Sequence, residues 1–253
     1  MAGRTMLSKN DIKEIRALGQ KKFRDERRLF IVEGEKLVEE ALRSGFAVEA
    51  VYRTADIGEE AMARISRLTH PSPALAVVRQ PDPEAPAIGP DELLLALDGI
   101  RDPGNLGTII RIADWFGIRQ ILASDDTVEL YNPKVVQATM GAIFRVRVHY
   151  GDLAAALRAP AGPGPALPVY GTFLEGDDIY TVPLTRGGII VMGSEAAGIS
   201  PAVAASVTQK LHIPPFPPGA RTSESLNVAV ATAITCSEFR RRNVPDTFPG
   251  GRR

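Results

Sequence analysis

Hydrophobic positions along the chain alternate between stripes spaced near 3.6 residues and short runs of consecutive apolar side chains, a pattern that predicts helices interleaved with strands. Ser8 can cap a helix carrying Ile12, Ile15 and Leu18 on one face, with Lys9, Lys13 and Arg16 on the others. Leu29 to Val32 predicts a strand, Gly34 to Arg43 a helix through its Leu37, Val38, Ala41, Leu42 stripe, and Val48 to Tyr52 a strand. Glu59 to Leu68 predicts a helix and Leu75 to Val78 another strand. The pattern then stops at Pro81 to Pro90, too rich in proline for a helix or a central strand. This predicts a small α/β domain over residues 1–80, a linker over 81–90 and a second domain over 91–253.

In the second domain Leu93 to Leu97 is a continuous apolar run suited to a strand buried on both faces, followed by a helix over Leu106 to Phe116. Trp115 and Phe116 continue that helix's apolar face and are expected in the core. Further strands are predicted at Ile121 to Ala123, Arg145 to Val148, Val169 to Phe173 and Ile189 to Met192. Helices separate them near Pro133 to Met140, Leu153 to Leu157 and Pro201 to Val207, which implies a mostly parallel sheet. Pro160 to Pro168 is a loop, and a long helix over Ser223 to Arg241 closes the pattern.

Composition narrows the classes. With 253 residues, 44% hydrophobic and 24% charged, the chain can bury a sizeable core. No stretch approaches the roughly 20 apolar residues of a membrane helix, and Met1 to Asp11 lacks the apolar segment of a signal peptide. A soluble, cytoplasmic protein without a membrane partner is expected. The single Cys236, in an apolar helical stretch, excludes an internal disulfide and is expected to be a buried small side chain. His70, His149 and His212 are too widely spaced to suggest a metal, so none is expected.

Net charge is zero, but its distribution is not even: residues 1–28 hold nine basic and four acidic side chains, and residues 240–253 hold five and one. Clustered cations attract phosphate, and the run Lys9, Lys13, Arg16, Lys21, Lys22, Arg24 is the candidate RNA contact.

An α/β sheet invites a dinucleotide reading, but the G-x-G-x-x-G fingerprint and the P-loop pattern are both missing. Three other segments stand where strands end: Asn105 to Ala113, Met192 to Ile199, and Ile213-Pro214 joined to Ser225 to Ala231. Open α/β sheets bind ligands at that edge, so the three clusters can form one site.

In order and spacing these segments resemble motifs one, two and three of the SpoU/TrmH branch of the SPOUT methyltransferases, over residues 93–241. The domain containing Phe30-Ile31-Val32-Glu33-Gly34 is similar to that branch's ribosomal-protein-like RNA-binding domain. The resemblance implies an α/β fold with a deep trefoil knot in the C-terminal domain, S-adenosylmethionine as cofactor, and methylation of a ribose 2'-hydroxyl in RNA, ribosomal RNA favoured over tRNA. It also implies a homodimer that completes the RNA site across its two-fold axis. Gly193, Ile213 and Leu226, together with Thr172, would hold the cofactor, and Asn105, Arg111, Glu195, Ser225 and Asn227 would form the catalytic set. Between Gly219 and Ser225 the chain is longer than in many relatives, which puts the shape of that loop in question.

Each of these residues also has a plainer reading. Asn105 can be a helix cap bonding Thr108, Arg111 a surface charge, Glu195 a first-turn carboxylate, and Ser225 and Asn227 capping residues of the last helix. Arginine stays protonated in proteins, so Arg111 suits stabilisation of a developing alkoxide, with Glu195 a possible proton acceptor. Carbon methylation would need a cysteine nucleophile near the cofactor, and Cys236 is poorly placed for that. Two alternatives stand beside the ribose reading: an RNA-binding module that has lost catalysis, and a methyltransferase acting on a base nitrogen.

Overall fold

The computed structural model describes residues 7–86, 88–89, 91–158, 167–217 and 223–243. Most of the predicted 160–168 loop, the Gly219 end of the long loop and the last basic residues, Arg252 and Arg253, lie outside them. The chain divides into two compact units, one holding residues up to Glu84 with Glu129–Arg145, the other Ala85–Val128 and residues from Val146 on.

The first unit begins with α1 (Lys9–Ala17) and α2 (Lys21–Arg27), followed by β1 (Leu29–Glu33), α3 (Glu35–Arg43), β2 (Val48–Arg53), α4 (Thr54–Ile57), α5 (Glu59–Ile65) and β3 (Ala74–Arg79). Ser8 caps α1 reciprocally: its hydroxyl accepts from Asp11 N at 3.1 Å and its own N–H donates to the Asp11 carboxylate at 2.9 Å. The three strands form an antiparallel sheet in the order β1-β3-β2. Ile12, Ile15 and Leu18 pack with Met62, Ile65, Ile31, Leu75 and Val77.

The second unit contains β4 (Leu93–Asp98), α6 (Pro103–Trp115) and β5 (Gln120–Ser124). After α7 (Pro133–Thr139) and a 3-10 turn (Ala142–Phe144), which belong to the first unit, it resumes with β6 (Arg147–Gly151) and α8 (Leu153–Arg158). β7 (Val169–Asp178), β8 (Gly188–Gly193), α9 (Pro201–Ala204), β9 (Gln209–His212) and α10 (Val228–Arg242) complete it. Every pairing is parallel, in the order β6-β5-β4-β8-β7-β9. All six residues of β4 are buried, as a central strand covered on both faces requires. Leu94 and Ala96 pack with Leu153, Leu157 and Val203 of α8 and α9, and α6 and α10 pack on each other.

Residues 129–145 were not separable from the second domain by pattern, yet they pack within the first unit. Tyr131 lies against Phe30 at 4.7 Å between ring centroids, and Phe144 meets Phe46 edge-on at 5.2 Å. Arg145 pairs with Glu40 at 2.5 Å. Gly141 has φ +95°, a conformation that L side chains rarely adopt, so the backbone there calls for glycine.

Several expectations change. Trp115 is not core: it is 85% exposed, because the apolar seam of α6 is Leu106, Ile109, Ile110 and Ala113, and Trp115 falls off it. The last helix starts at Val228 rather than Ser223, since Asn227 is its cap. Of the basic C-terminal run, Arg240 donates to Phe116 O and Gly117 O at the end of α6, while Arg241 and Arg242 grip the buried Glu238. These three side chains are engaged inside the unit.

Bonds from Arg241 first, and then Arg242, hold the Glu238 carboxyl at about 2, below its ordinary 4.5, against the opposing effect of burial. A carboxyl depressed on folding contributes stability that is complete above its unfolded pKa and is lost as pH falls through the folded one. Glu238→Gln is therefore expected to lower stability near neutral pH and to converge with the wild type as pH falls from about 4.5 toward about 2. Urea unfolding across that range measures it; a constant gap down to the acid end would remove Glu238 from the acid transition.

Candidate active site

The strand order reverses direction between β4 and β8. From β4 the chain runs outward through β5 to β6, whereas β7, β8 and β9 fill the other side. In a parallel sheet, the loops leaving two such strands diverge and open a crevice at their C-terminal ends. Asp98 and Gly193, the last residues of β4 and β8, are register partners at that point.

The loop after β4 enters α6 through Asp102, whose carboxylate accepts from Asn105 N at 2.8 Å, with Pro103 at the first helical position. Asp102 is therefore the cap, and Asn105, inside the first turn, keeps its side chain for other partners. The loop after β8 folds back at once: Ser194 and Gly198 exchange backbone hydrogen bonds of 3.0 and 2.8 Å. A Cβ on Gly193 would stand 2.2 Å from the Gly198 backbone, so this glycine serves the loop's own closure. Ser200 N donates to the nearly buried Asp98 carboxylate at 2.6 Å, tying the far end of the loop to β4.

Glu195 projects from this clamped turn and meets two amides. Its Oε1 accepts from Asn105 Nδ2 at 3.0 Å, from Asn227 Nδ2 at 2.8 Å and from Val228 N at 3.5 Å. Asn227 Nδ2 also donates to Asn105 Oδ1 at 3.0 Å, and Asn227 Oδ1 caps α10 by accepting from Ala229 N and Val230 N. Three side chains from three separate segments thus interlock. One oxygen of Glu195 is fully committed, and Oε2 has no partner among the described residues. Beside the cluster lies a cavity of about 370 Å³ whose lining includes Asp98, Gly99, Asn105, Asp126, Glu195 and Val228.

The other candidates fall around this cluster or away from it. Gly193 ends β8 and Ile213 directly follows β9, while Thr172 is the fourth residue of β7, the strand between them, and pairs with Leu211 of β9. The Thr172 hydroxyl donates to Val191 O at 3.2 Å. Ile213 is half-buried, and Leu226, next to Asn227, is 46% exposed. Ser225 is exposed and precedes the helix. Arg111 does not join the cluster: it is exposed on the α6 stripe of Gly104, Thr108 and Trp115 and has no partner among the described residues. Cys236 is fully buried, its thiol pushed up to about 12 by desolvation.

In the first unit, Lys9, Lys13 and Lys22 are exposed, Lys21 pairs with Asp25, and Arg16 reaches Arg64 O at 3.5 Å. Arg24 is withdrawn from the run: it is 2% exposed and locked to Glu129 through two bonds of 3.0 and 2.5 Å and to Leu18 O at 2.9 Å. Sequence reading missed Glu129, whose partner lies more than a hundred residues away. It also missed Asp98 as the anchor of the Glu195 loop.

The family described as SpoU rRNA Methylase matches residues 92–237, and the MRM3-like substrate binding domain matches residues 9–77. A TrmH-family protein from Porphyromonas gingivalis shares the fold with a TM-score of 0.85 at 41% identity, over 94% of this chain and 100% of that one. An AdoMet-bound rRNA methyltransferase from Sinorhizobium meliloti gives 0.82 at 31% identity, over 95% and 99%. A 23S rRNA guanosine-2'-O-methyltransferase from Bacillus subtilis is 29% identical over 90% of this chain and 95% of its own length.

Proposed function

Because the chain belongs to the SpoU rRNA methylase family, we propose that it moves a methyl group from S-adenosylmethionine to a ribose 2'-hydroxyl of RNA, ribosomal RNA in preference to tRNA, in the cytoplasm. The observation that carries this reading is the interlocked Asn105, Glu195 and Asn227 at the reversal point of the sheet. The deep trefoil knot belongs to the same reading.

Thr172, Gly193, Ile213 and Leu226 fit the cofactor: the first three lie on or directly after the neighbouring strands β7, β8 and β9, Leu226 adjoins Asn227 beside Glu195, and Ile213 and Leu226 offer apolar surface for a flat adenine. When bound, S-adenosylmethionine would supply an electrophilic methyl carbon on a positively charged sulfur that serves as the leaving group. Glu195 receives the hydroxyl proton on Oε2, while Asn105 and Asn227 fix the carboxylate through Oε1. Ser225, next to this cluster in sequence, orients the ribose. Arg111 stabilises the negative charge that develops on the attacking oxygen.

The exposed Arg111 acquires that role in a homodimer. Trp115 and Arg111 share one helical stripe, and residues of these two types are enriched where protein surfaces are buried against each other. A second copy on this face would cover the indole and carry Arg111 toward the neighbouring site.

The acceptor atom is tested with a ribosomal RNA fragment methylated by the wild-type protein and the same fragment carrying 2'-deoxyribose at the target. The deoxy fragment is expected to bind and accept no methyl. Transfer to it would place the methyl on a base atom and end the ribose reading.

A further inference from the structure

The first unit contains a cavity of about 330 Å³ that the catalytic cluster does not use. Its floor is one face of β1, where Ile31 and Glu33, two residues apart, lie on the same side of the strand. One wall is α7, which presents Pro133, Lys134, Gln137 and Ala138, and the other is formed by Arg67 and Leu68 after α5.

The lining combines three chemistries. Ile31, Leu68, Pro133 and Ala138 make an apolar slot. Glu33, 5% exposed, is a carboxylate held in place by Ser66 Oγ at 2.5 Å and Arg67 N at 2.8 Å, and the Gln137 amide has no partner among the described residues. At the rim Lys134 and Arg67 are exposed cations without an ion pair among the described residues. An apolar slot with a fixed acceptor, a free amide and two cations at its mouth suits a planar heterocycle with edge donors, joined to a phosphate. That is the chemistry of a nucleotide.

We propose that this cavity captures one unstacked nucleotide of the RNA substrate. The base lies in the slot and is read by Glu33 and Gln137, and its phosphate is held by Lys134 and Arg67. Single-stranded loops and bulges offer such splayed bases, whereas the grooves of duplex RNA do not. The capture site would let the first unit select an RNA by an exposed base rather than by charge alone. This inference rests on RNA being the substrate, and it adds a recognition site remote from Asn105, Glu195 and Asn227 in sequence.

The test uses the full chain and a ribosomal RNA fragment that the wild-type protein methylates. Ala138→Phe fills the slot, and Gln137→Ala removes the free amide without breaking any bond within the protein. Both are expected to raise the RNA KM about tenfold, the ratio that corresponds to about 1.4 kcal/mol, with little change in kcat and unchanged S-adenosylmethionine affinity. With 2-aminopurine scanned through the fragment, one position should brighten when wild-type protein binds and stay dim with Ala138→Phe. A KM within twofold of wild type in both variants, or no position whose brightening depends on the slot, would overturn the proposal while leaving methylation standing. If the wild type methylates no RNA at all, the functional reading itself fails, so the two failures are distinct.

Discussion

Arg111→Ala is expected to lower the single-turnover methylation rate on the order of a hundredfold, the scale of losing one charge-stabilising donor in a transition state. The side chain bonds nothing within its own chain among the described residues, so the variant should fold normally and bind the cofactor as the wild type does. Arg111→Lys keeps the charge but loses the planar fork, and intermediate activity there would assign the role to charge rather than bidentate positioning. The dimer reading makes a sharper demand. An equal mixture of Arg111→Ala and Glu195→Gln chains should recover roughly a quarter of wild-type activity, because each mixed pair has one site with both groups intact. If Arg111 acts only within its own chain, no mixed pair has an intact site and the mixture stays inactive. Wild-type rates in Arg111→Ala would remove the residue from the mechanism.

Arg24→Ala should act on stability instead of on RNA. The guanidinium is buried and makes three hydrogen bonds, two of them to Glu129. Breaking such a pair from one side leaves a partly buried carboxylate and a carbonyl without their donors, a loss of roughly 3 kcal/mol or more. Urea unfolding measures it. The salt dependence of RNA binding is expected to keep its slope in Arg24→Ala, whereas neutralising Lys9, Lys13 and Lys22 together should flatten it by roughly one unit for each phosphate left without its cation. A flatter slope with unchanged stability in Arg24→Ala would return that residue to the RNA surface.

Much of the architecture was legible because local signals agreed. The unbroken Leu93 to Leu97 run suited a doubly covered strand, and Ser8 with Asp11 carried its own helix start. The site was legible as three segments at strand ends, and the structure brings Asn105, Glu195 and Asn227 within hydrogen-bond reach. What local reading could not supply was the partner. Trp115 continued an apolar face by spacing, but only the packing of α10 on α6 decides which stripe is covered. The pairing of Arg24 with Glu129, and of Tyr131 with Phe30, joins residues about a hundred positions apart and leaves no periodic trace. One missed signal was present: Asp102-Pro103 is the usual entry into a helix, and it frees Asn105 from capping.

The placement of residues 129–145 within the first unit bears on how such a protein can be inherited. A recombination event in the proline-rich stretch near Glu84 and Ala85 would join a foreign domain to a chain that still carries Tyr131, Phe144 and Glu129. Those side chains are shaped to meet Phe30, Phe46 and Arg24, and without them two aromatic rings and a carboxylate are left to water or to chance neighbours. A domain shuffle at that joint is therefore handicapped unless the donor brings a matching surface, and the two halves are expected to change in step across lineages, substitution on one side answered by substitution on the other.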